Sequence, residues 1–288
     1  MSTEEALTLR AYAKINLTLD VLGRRDDGYH EIASVMQTIE LADNLSFTPH
    51  HEIHLFCDVP ELDSHENLVV KAAELLRGES GYKGGARITL AKMIPVAGGL
   101  GGGSSDAAAT LKGLNSLWEL GLTQDALLTL AVRLGSDVPF FLYGGTALVE
   151  GRGERITPLP SFPQSWFVLL RRSHNIAQKT KTLYEALQAH HFSQGESTLK
   201  LVEALRADAN IPSSIFYNAF EWVAFDVYPD LLESCSRFLD AGAAWVHLAG
   251  AGPILYTMMD EKEQAKELKQ RLEEKGLEVY LAQACGEG

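Results

Sequence analysis

Cysteine is scarce in this 288-residue chain, which contains only Cys57, Cys235 and Cys285. Their number is odd, their spacing is wide, and no His or Cys accompanies them at the spacing of metal ligands. We therefore expect a reducing compartment, no disulfide framework and no structural zinc.

Long apolar runs and basic residues are also scarce. No apolar run approaches the ~20 residues of a membrane-spanning helix, and the segment Met1–Glu5 is acidic where a secretion signal would be basic. The 25 Lys and Arg residues against 38 Asp and Glu give a net charge of -13. This charge argues against general binding to nucleic acid or to an anionic membrane, but it leaves room for a small anionic ligand. We expect a soluble, cytoplasmic protein.

The most informative segment is Ile94–Ala109, which contains five glycines between a strand-like run and a helix-like run. Residues 87–90 alternate as in a strand, and the leucines after the segment recur at helical spacing. A helix start offers unpaired N–H groups and the positive end of a dipole, and glycines let the backbone approach a polyphosphate. The segment therefore predicts a phosphate cradle. The alternative is that the glycines only form a mobile loop.

Hydroxyl side chains follow these glycines. Ser104 and Ser105 would cap the helix, or contact a phosphate oxygen or magnesium, and Asp106 is another candidate cap. No Gly-Lys-Ser/Thr closes the loop, so it is not a Walker loop. It also lies too far inside the chain for the dinucleotide fingerprint of a first βαβ unit.

The element pattern predicts an α+β sandwich in each half rather than a doubly wound sheet. Alternation over 7–21 predicts one or two strands with a single buried face, and Lys14 and Asn16 fall on the other face. Asp43–Asn44 separates two later apolar runs. Prolines at 158, 160 and 163 place a domain boundary there, giving domains 1–160 and 161–288. We further predict a helix over 67–76, a helix over 123–134 that is capped by Thr123, and a helix from Asp260 with an acidic capping box at 260–263. A closing strand is predicted over 277–281.

Four segments together resemble the GHMP small-molecule kinases. These segments are Ala13–Asn16, Pro95–Ala109, Ser136–Pro139 and Ala249–Pro253. The resemblance implies a two-domain architecture, with an N-terminal α/β domain that holds the phosphate loop and the catalytic pair. A ferredoxin-like C-terminal domain would follow, with ATP and substrate meeting in the cleft between the two.

The segment Asp27–His30 resembles the branch of this family that acts on a cytidylyl substrate. This resemblance implies transfer of the γ-phosphoryl group of ATP to the C2 hydroxyl of 4-diphosphocytidyl-2-C-methyl-D-erythritol, a step of non-mevalonate isoprenoid synthesis. The partner would be a small-molecule substrate, and no obligate protein partner is implied.

Asp137 matches the catalytic aspartate of the family, and Lys14 resembles its partner. A carboxylate with the reference pKa of ~4 is too weak a base to deprotonate an alcohol before phosphoryl transfer begins. The proton must therefore move late, after the loose transition state has formed. The alternatives are a turn or cap residue at Asp137 and a solvated strand lysine at Lys14. Asn16 would orient the pair, or would be an edge-strand asparagine that bonds water.

The resemblance also implies a cytidine pocket. Tyr29 would stack on the cytosine and His30 would bond its polar edge, while Tyr184 would supply a second aromatic face and Thr180 a hydroxyl. The alternatives are core positions for both tyrosines and an ordinary turn histidine.

Nucleotide binding is implied for the loop and for two flanking residues. The loop residues are Pro95, Gly98, Gly99, Leu100, Gly101, Gly102, Gly103, Ser104 and Ser105. Asn67 and Lys92 would border the adenine, or would be a helix cap and a surface lysine. Magnesium would arrive with ATP, and Ser105 is its expected protein contact. The turn Ala249–Gly252 departs from the family, which often has Ser or Thr at one of the alanine positions.

Three other functions stay open from the sequence. A related kinase would phosphorylate mevalonate, homoserine or a sugar, but would not need the Asp27–His30 segment. A catalytically silent nucleotide-binding protein would not need both Lys14 and Asp137. Hydrolysis of the nucleotide without an acceptor is the third.

Overall fold

The computed structural model describes residues 6–171 and 179–286, which form two sheets with helices packed on them. The strands are β1 (Leu7–Arg24), β2 (His30–His50), β3 (His54–Cys57), β4 (Gly85–Ala91), β5 (Thr146–Gly151), β6 (Arg155–Pro158), β7 (Trp166–Arg171), β8 (Tyr217–Asn218), β9 (His247–Leu248), β10 (Leu255–Met259) and β11 (Glu278–Gln283). The helices are α1 (Leu68–Ser80), α2 (Gly102–Leu117), α3 (Gln124–Leu134), α4 (Val138–Tyr143), α5 (Lys179–Ala186), α6 (Glu196–Arg206), α7 (Glu221–Val227), α8 (Asp230–Asp240) and α9 (Lys262–Glu273).

The first sheet has the order β3-β4-β2-β1-β8, and β5 and β6 extend it from β2. Strand β1 is buried on both faces, because α2 and α6 both pack on it. The prediction of a single buried face was therefore wrong. The side chains of Lys14 and Asn16, expected on the exposed face, lie in the interior.

Strand β2 runs without a break through Asp43 and Asn44, where the sequence predicted a separation. Asp43 is fully buried, and its carboxylate accepts hydrogen bonds from the N–H groups of Met93 (2.5 Å) and Ile94 (2.8 Å). This carboxylate consequently fixes the start of the glycine-rich loop.

The second sheet is antiparallel, with the order β11-β7-β10-β9. Its elements follow the strand–helix–strand–strand–helix–strand pattern of a ferredoxin-like fold. The predicted α+β class and this ferredoxin-like half are confirmed. The division at 160/161 falls between β6 and β7 and stays a prediction. Within the described residues, no helix has both the length and the apolar character needed to cross a membrane.

Helix starts agree only partly with the sequence patterns. Thr123 caps α3 as predicted, since its hydroxyl accepts from the Ala126 N–H. Gly101 is the N-cap of α2, so caps at Ser104, Ser105 or Asp106 were wrong predictions. Glu261 precedes α9 without a side-chain capping bond, although an acidic box was predicted there.

Candidate active site

The glycine-rich loop borders a cavity of about 480 Å³ at the start of α2. Pro95, Asn67, Lys92 and every residue from Gly98 to Ser104 line this cavity. Ser105 is buried in the first turn of α2 and is not among the described residues that line it. The loop thus presents backbone groups and one serine hydroxyl to a single space.

Gly101 is a position at which only glycine fits without displacement. Its φ is +74°, and a Cβ atom there would lie 2.6 Å from the Phe141 ring and 3.2 Å from Cγ of Lys14. The Lys14 N–H donates to the carbonyl of Leu100 at 2.9 Å. The loop is therefore held directly against β1, next to the base of the Lys14 side chain.

Gly99 packs against the turn Ala249–Gly252 of the C-terminal half. A Cβ atom on Gly99, whose φ is +88°, would lie 2.2 Å from the Ala249 carbonyl oxygen. The amide of Asn218 donates to the carbonyls of Leu248 and Gly250, both at 2.8 Å, and so fixes this turn. The turn that lacks the family's hydroxyl consequently contacts the loop through backbone.

Lys14 and Asp137 form an ion pair beside the loop. Lys14 Nζ lies 3.6 Å from Asp137 Oδ2, with exposed side-chain fractions of 4% and 35%. Asp137 precedes α4 but makes no side-chain capping bond. The solvated-lysine and helix-cap alternatives were therefore wrong. The pair combines a cation held in the interior with a carboxylate that reaches solvent.

Asn16 lies next to this pair. Lys14 Nζ donates to Asn16 Oδ1 at 2.7 Å, and Asn16 Nδ2 donates to Ser34 Oγ at 2.8 Å. Both ends of the amide are satisfied by buried protein groups, so the alternative of a water-bonded edge asparagine was wrong.

A second cavity, of about 810 Å³, opens on the other side of the loop. It is lined by Lys14, predicted to be catalytic, and by all the residues predicted to bind substrate: Asn16, Tyr29, His30, Asp137, Thr180 and Tyr184. Gly99 and Gly101 line both cavities. Only glycine backbone separates the two spaces at these positions.

Aromatic rings form one wall of the larger cavity. The rings of His30 and Tyr184 are stacked 4.7 Å apart, and Phe192 meets His30 edge-on at 6.0 Å. Burial, with a smaller effect of Arg24, lowers the pKa of His30, so its imidazole is neutral at pH 7. Burial, with the nearby carboxylate of Asp137, raises the pKa of Tyr184, so its hydroxyl stays protonated.

Tyr29 stands at the mouth of this cavity. Its side chain is 54% exposed, which contradicts a core position, and the guanidinium of Arg152 lies 4.7 Å from its ring centre. Arg152, which also lines the cavity, carries a positive charge that the sequence analysis did not single out.

A buried cluster of Lys92, Asp43 and Asp106 lies beneath the loop. Lys92 Nζ donates to Asp43 and, at 2.7 Å, to Asp106 Oδ2. Burial would lower the pKa of Lys92, but the two carboxylates outweigh it and raise that pKa. Burial raises the pKa of Asp106 to about 7, although Lys92 opposes the rise. The surface-lysine alternative for Lys92 was wrong.

The sequence did not predict that the two carboxylates of this cluster bind Lys92, because Asp43 and Asp106 are distant in the chain and resemble a turn residue and a helix cap. Asn67 does cap α1, as its side chain accepts from the Val69 N–H at 2.9 Å, while it also lines the smaller cavity. Asn67 can therefore cap the helix and line the smaller cavity at the same time.

Two family comparisons cover most of the chain. Residues 67–145 match the GHMP kinases N terminal domain, and residues 185–277 match the GHMP kinases C terminal domain. A protein of Dehalococcoides mccartyi, named 4-diphosphocytidyl-2-C-methyl-D-erythritol kinase, is 45% identical over 281 residues, which cover 97% of this chain and 99% of that protein. A Listeria monocytogenes protein of the same name is 40% identical over 288 residues, with 98% and 97% covered.

Solved structures agree with these matches. A crystal structure of 4-(cytidine 5'-diphospho)-2C-methyl-D-erythritol kinase has a TM-score of 0.81 and 33% identity, and the alignment covers 96% of this chain and 98% of that one. Homoserine kinase from Cytophaga hutchinsonii, at 16% identity and a TM-score of 0.75 over 99% and 96%, shares the fold. The chain therefore belongs to the GHMP kinases, which use ATP, and within them to the 4-diphosphocytidyl-2-C-methyl-D-erythritol kinase family.

Proposed function

We propose that the chain transfers the γ-phosphoryl group of ATP to the C2 hydroxyl of 4-diphosphocytidyl-2-C-methyl-D-erythritol, as part of non-mevalonate isoprenoid synthesis. One observation carries this proposal. The Lys14–Asp137 pair and the residues predicted to hold cytidine line one cavity, which meets the nucleotide-side cavity at Gly99 and Gly101. The names of the relatives support the same acceptor.

ATP would occupy the smaller cavity with its phosphates on the loop. The first residues of α2 line this space, where the N–H groups of a helix start have no intrahelical partner and the helix dipole favours an anion. Asn67 and Lys92 line the same cavity and would border the nucleotide. The terminal phosphate would then lie near Gly101, directly beside the Lys14 side chain.

Lys14 and Asp137 would have different roles in phosphoryl transfer. The acceptor hydroxyl would bond to Asp137, which fixes its direction toward the phosphorus. The proton would move to this carboxylate late, after bond formation to phosphorus has made the oxygen acidic. The ammonium of Lys14 would stabilise negative charge on the transferring oxygens, and its burial strengthens that effect.

The aromatic wall would hold the cytosine. A planar base fits against Tyr29 or the Tyr184 ring, and neutral His30 can donate to or accept from the polar edge of the base. Thr180, which is exposed at the start of α5, would add a hydroxyl contact to the base or sugar.

Magnesium would enter with the nucleotide, and the smaller cavity offers oxygen atoms that fit it as ligands. Ser104 and Asp106 line the smaller cavity, and Oδ1 of Asp106 is buried without a hydrogen-bond partner among the described residues. These are oxygen donors of the type magnesium takes. Ser105, the contact expected from the sequence, stays a prediction; its side chain is buried and does not line this cavity. When bound, the ion would neutralise phosphate charge.

We also propose a cytoplasmic location without an obligate protein partner. Cys57 and Cys235 are free thiols in the described part of the chain, as a reducing compartment allows.

A coupled assay of ADP release tests the activity. It would contain ATP, magnesium and 4-diphosphocytidyl-2-C-methyl-D-erythritol, beside reactions with mevalonate, homoserine and no acceptor. We expect ADP only with the cytidylyl substrate. ADP release with another alcohol would support kinase activity but reject the cytidine pocket. Release without an acceptor would indicate hydrolysis of ATP. No release in any reaction would favour a nucleotide-binding protein without catalytic activity.

A further inference from the structure

A line of buried polar groups leads from the catalytic lysine into the first sheet. Beyond Lys14 and Asn16 it continues through Ser34, whose hydroxyl donates to the carbonyl of Thr18 at 2.5 Å. Ser34 is fully buried on β2, and it is not among the described residues that line either cavity. Any effect of Ser34 on catalysis must therefore pass through its neighbours.

The number of donors and acceptors available determines which atom donates and which accepts at each hydrogen bond of this line. A carbonyl oxygen only accepts, so the single proton of the Ser34 hydroxyl is committed to Thr18. The Ser34 oxygen can then only accept from Asn16, and the amide must present Nδ2 to it. Oδ1 of Asn16 consequently faces Lys14 Nζ.

We propose that Ser34 is a positioning residue, which sets the amide orientation of Asn16 and thereby holds the Lys14 ammonium beside Asp137. The proposal deepens the proposed function and rests on it for the role of the pair. A reversed Asn16 amide would turn an NH₂ group toward an ammonium, and two donors cannot bond each other. Lys14 would then lose its 2.7 Å acceptor in a buried site and keep only Asp137, at 3.6 Å, and an incompletely bonded buried charge is costly.

The far end of the line is held by the C-terminal half. Thr18 Oγ1 accepts from the Val35 N–H at 3.0 Å and lies 2.9 Å from the hydroxyl of Thr198 on α6. Thr198 also donates to the buried carboxylate of Asp20, at 2.7 Å. Residue Leu17 is an extra residue in the register of β1 against β2, just before Thr18. The hydroxyl of Ser34 bonds the carbonyl of Thr18 directly after this bulge.

The first test is a double-mutant cycle of Ser34→Ala and Asn16→Ala, measured as kcat and as KM for ATP. We expect Ser34→Ala to lower kcat about tenfold, the equivalent of one hydrogen bond of about 1.4 kcal/mol, with KM for ATP changed less than about threefold. In the Asn16→Ala background, Ser34→Ala should cost nothing further. Additive losses would overturn the proposal, as would an unchanged kcat.

Thr38→Val is the matched control. Thr38 is equally buried on β2 and pairs with Lys14 in register, but its hydroxyl has no hydrogen-bond partner among the described residues. We expect wild-type kcat from this variant. An equal fall of kcat in both variants would show a general sensitivity of the strand and reject the specific role of Ser34.

A second measurement does not depend on the acceptor. The side-chain amide resonances of Asn16, assigned by their loss in Asn16→Asp, should shift in Ser34→Ala and stay in place in Thr38→Val. Unshifted resonances in Ser34→Ala would overturn the proposal even if the substrate assignment holds. Where Ser34→Ala fails to fold, Ser34→Cys keeps a weak acceptor, and its kcat should fall between wild type and Asn16→Ala. Wild-type kcat in that variant would count against the proposal.

Discussion

The imidazole of His30 is stacked on the ring of Tyr184, with centroids 4.7 Å apart and planes 16° from parallel. His30 begins strand β2 of the first sheet, and Tyr184 lies on α5 in the C-terminal half. One wall of the larger cavity is thus shared by the two halves of the chain. A ligand that lies on this wall contacts both.

Replacing His30 by alanine should weaken binding of the cytidylyl acceptor without affecting ATP. The change removes the hydrogen bond proposed between the imidazole and the base, and one such bond is worth about 0.5–1.5 kcal/mol, which corresponds to a rise of roughly twofold to tenfold in KM for the acceptor. Steady-state kinetics with each substrate varied in turn would measure this. His51→Ala, at an exposed histidine, is the control and should leave both KM values unchanged. Equal losses for both substrates would indicate a folding role.

Replacing Asp137 by asparagine should abolish most turnover while ATP still binds. The amide keeps the shape of the side chain, but it cannot take a proton from the acceptor, so kcat should fall by roughly 10²–10⁴. Calorimetric titration with ATP should give a Kd within about threefold of wild type, since Asp137 lines the other cavity. Asp125→Asn on the exposed side of α3 serves as control. Normal turnover in Asp137→Asn would remove this carboxylate from the mechanism.

Replacing Gly101 by alanine should damage the phosphate loop. The new Cβ would clash with Phe141 at 2.6 Å in a backbone conformation with φ +74°, so the loop must shift. We expect a loss of about 1–3 kcal/mol in the free energy of unfolding and a KM for ATP at least about tenfold higher.

Gly121→Ala separates backbone strain from the clash. Gly121 has a φ of +63°, but a Cβ atom there would meet nothing within 4 Å. Urea unfolding should show a loss of about 1 kcal/mol for this variant, with KM for ATP unchanged. A similar rise in KM for both variants would contradict the loop argument.

Asp106 should make stability depend on pH. Its pKa rises from 3.8 to about 7 on folding, mainly through burial, so between these values the folded protein binds the extra proton. The free energy of unfolding should therefore decrease as pH rises from about 4 to 7, by at most about 1.4 kcal/mol per pH unit. Asp106→Asn should flatten this slope in urea unfolding measured across the range. An identical slope in both proteins would show that Asp106 keeps its ordinary pKa.

Local patterns in the sequence predicted most elements that depend on short-range signals. Three of these signals involve only a few neighbouring residues: the alternation of strands, the cap at Thr123, and the glycines that precede helix α2. The roles proposed for Lys14 and Asp137 and for the cytidine wall were predicted only through motif resemblance, because the segments that line the larger cavity are distant in the chain.

Features set by tertiary packing were not accessible. Asp43 resembles a turn residue, but its carboxylate accepts from the N–H groups of Met93 and Ile94 at the loop entrance, and β4 pairs with β2 from Asn44 onward, so the strand continues through it. Likewise, the two-sided burial of β1 depends on α6, which lies far along the chain. Neither partner leaves a signal near the residue it changes.

The glycine backbone at 99 and 101 has a consequence for inhibitor design. Because these residues line both cavities, a single molecule with a nucleotide-like end and a cytidine-like end would pass from one cavity to the other beside Gly99 and Gly101. Tethering the two ends would make the second contact intramolecular and raise its effective concentration to the millimolar range, on the order expected for short linkers. Selectivity would then come from the aromatic end, while the loop end supplies affinity common to nucleotide sites.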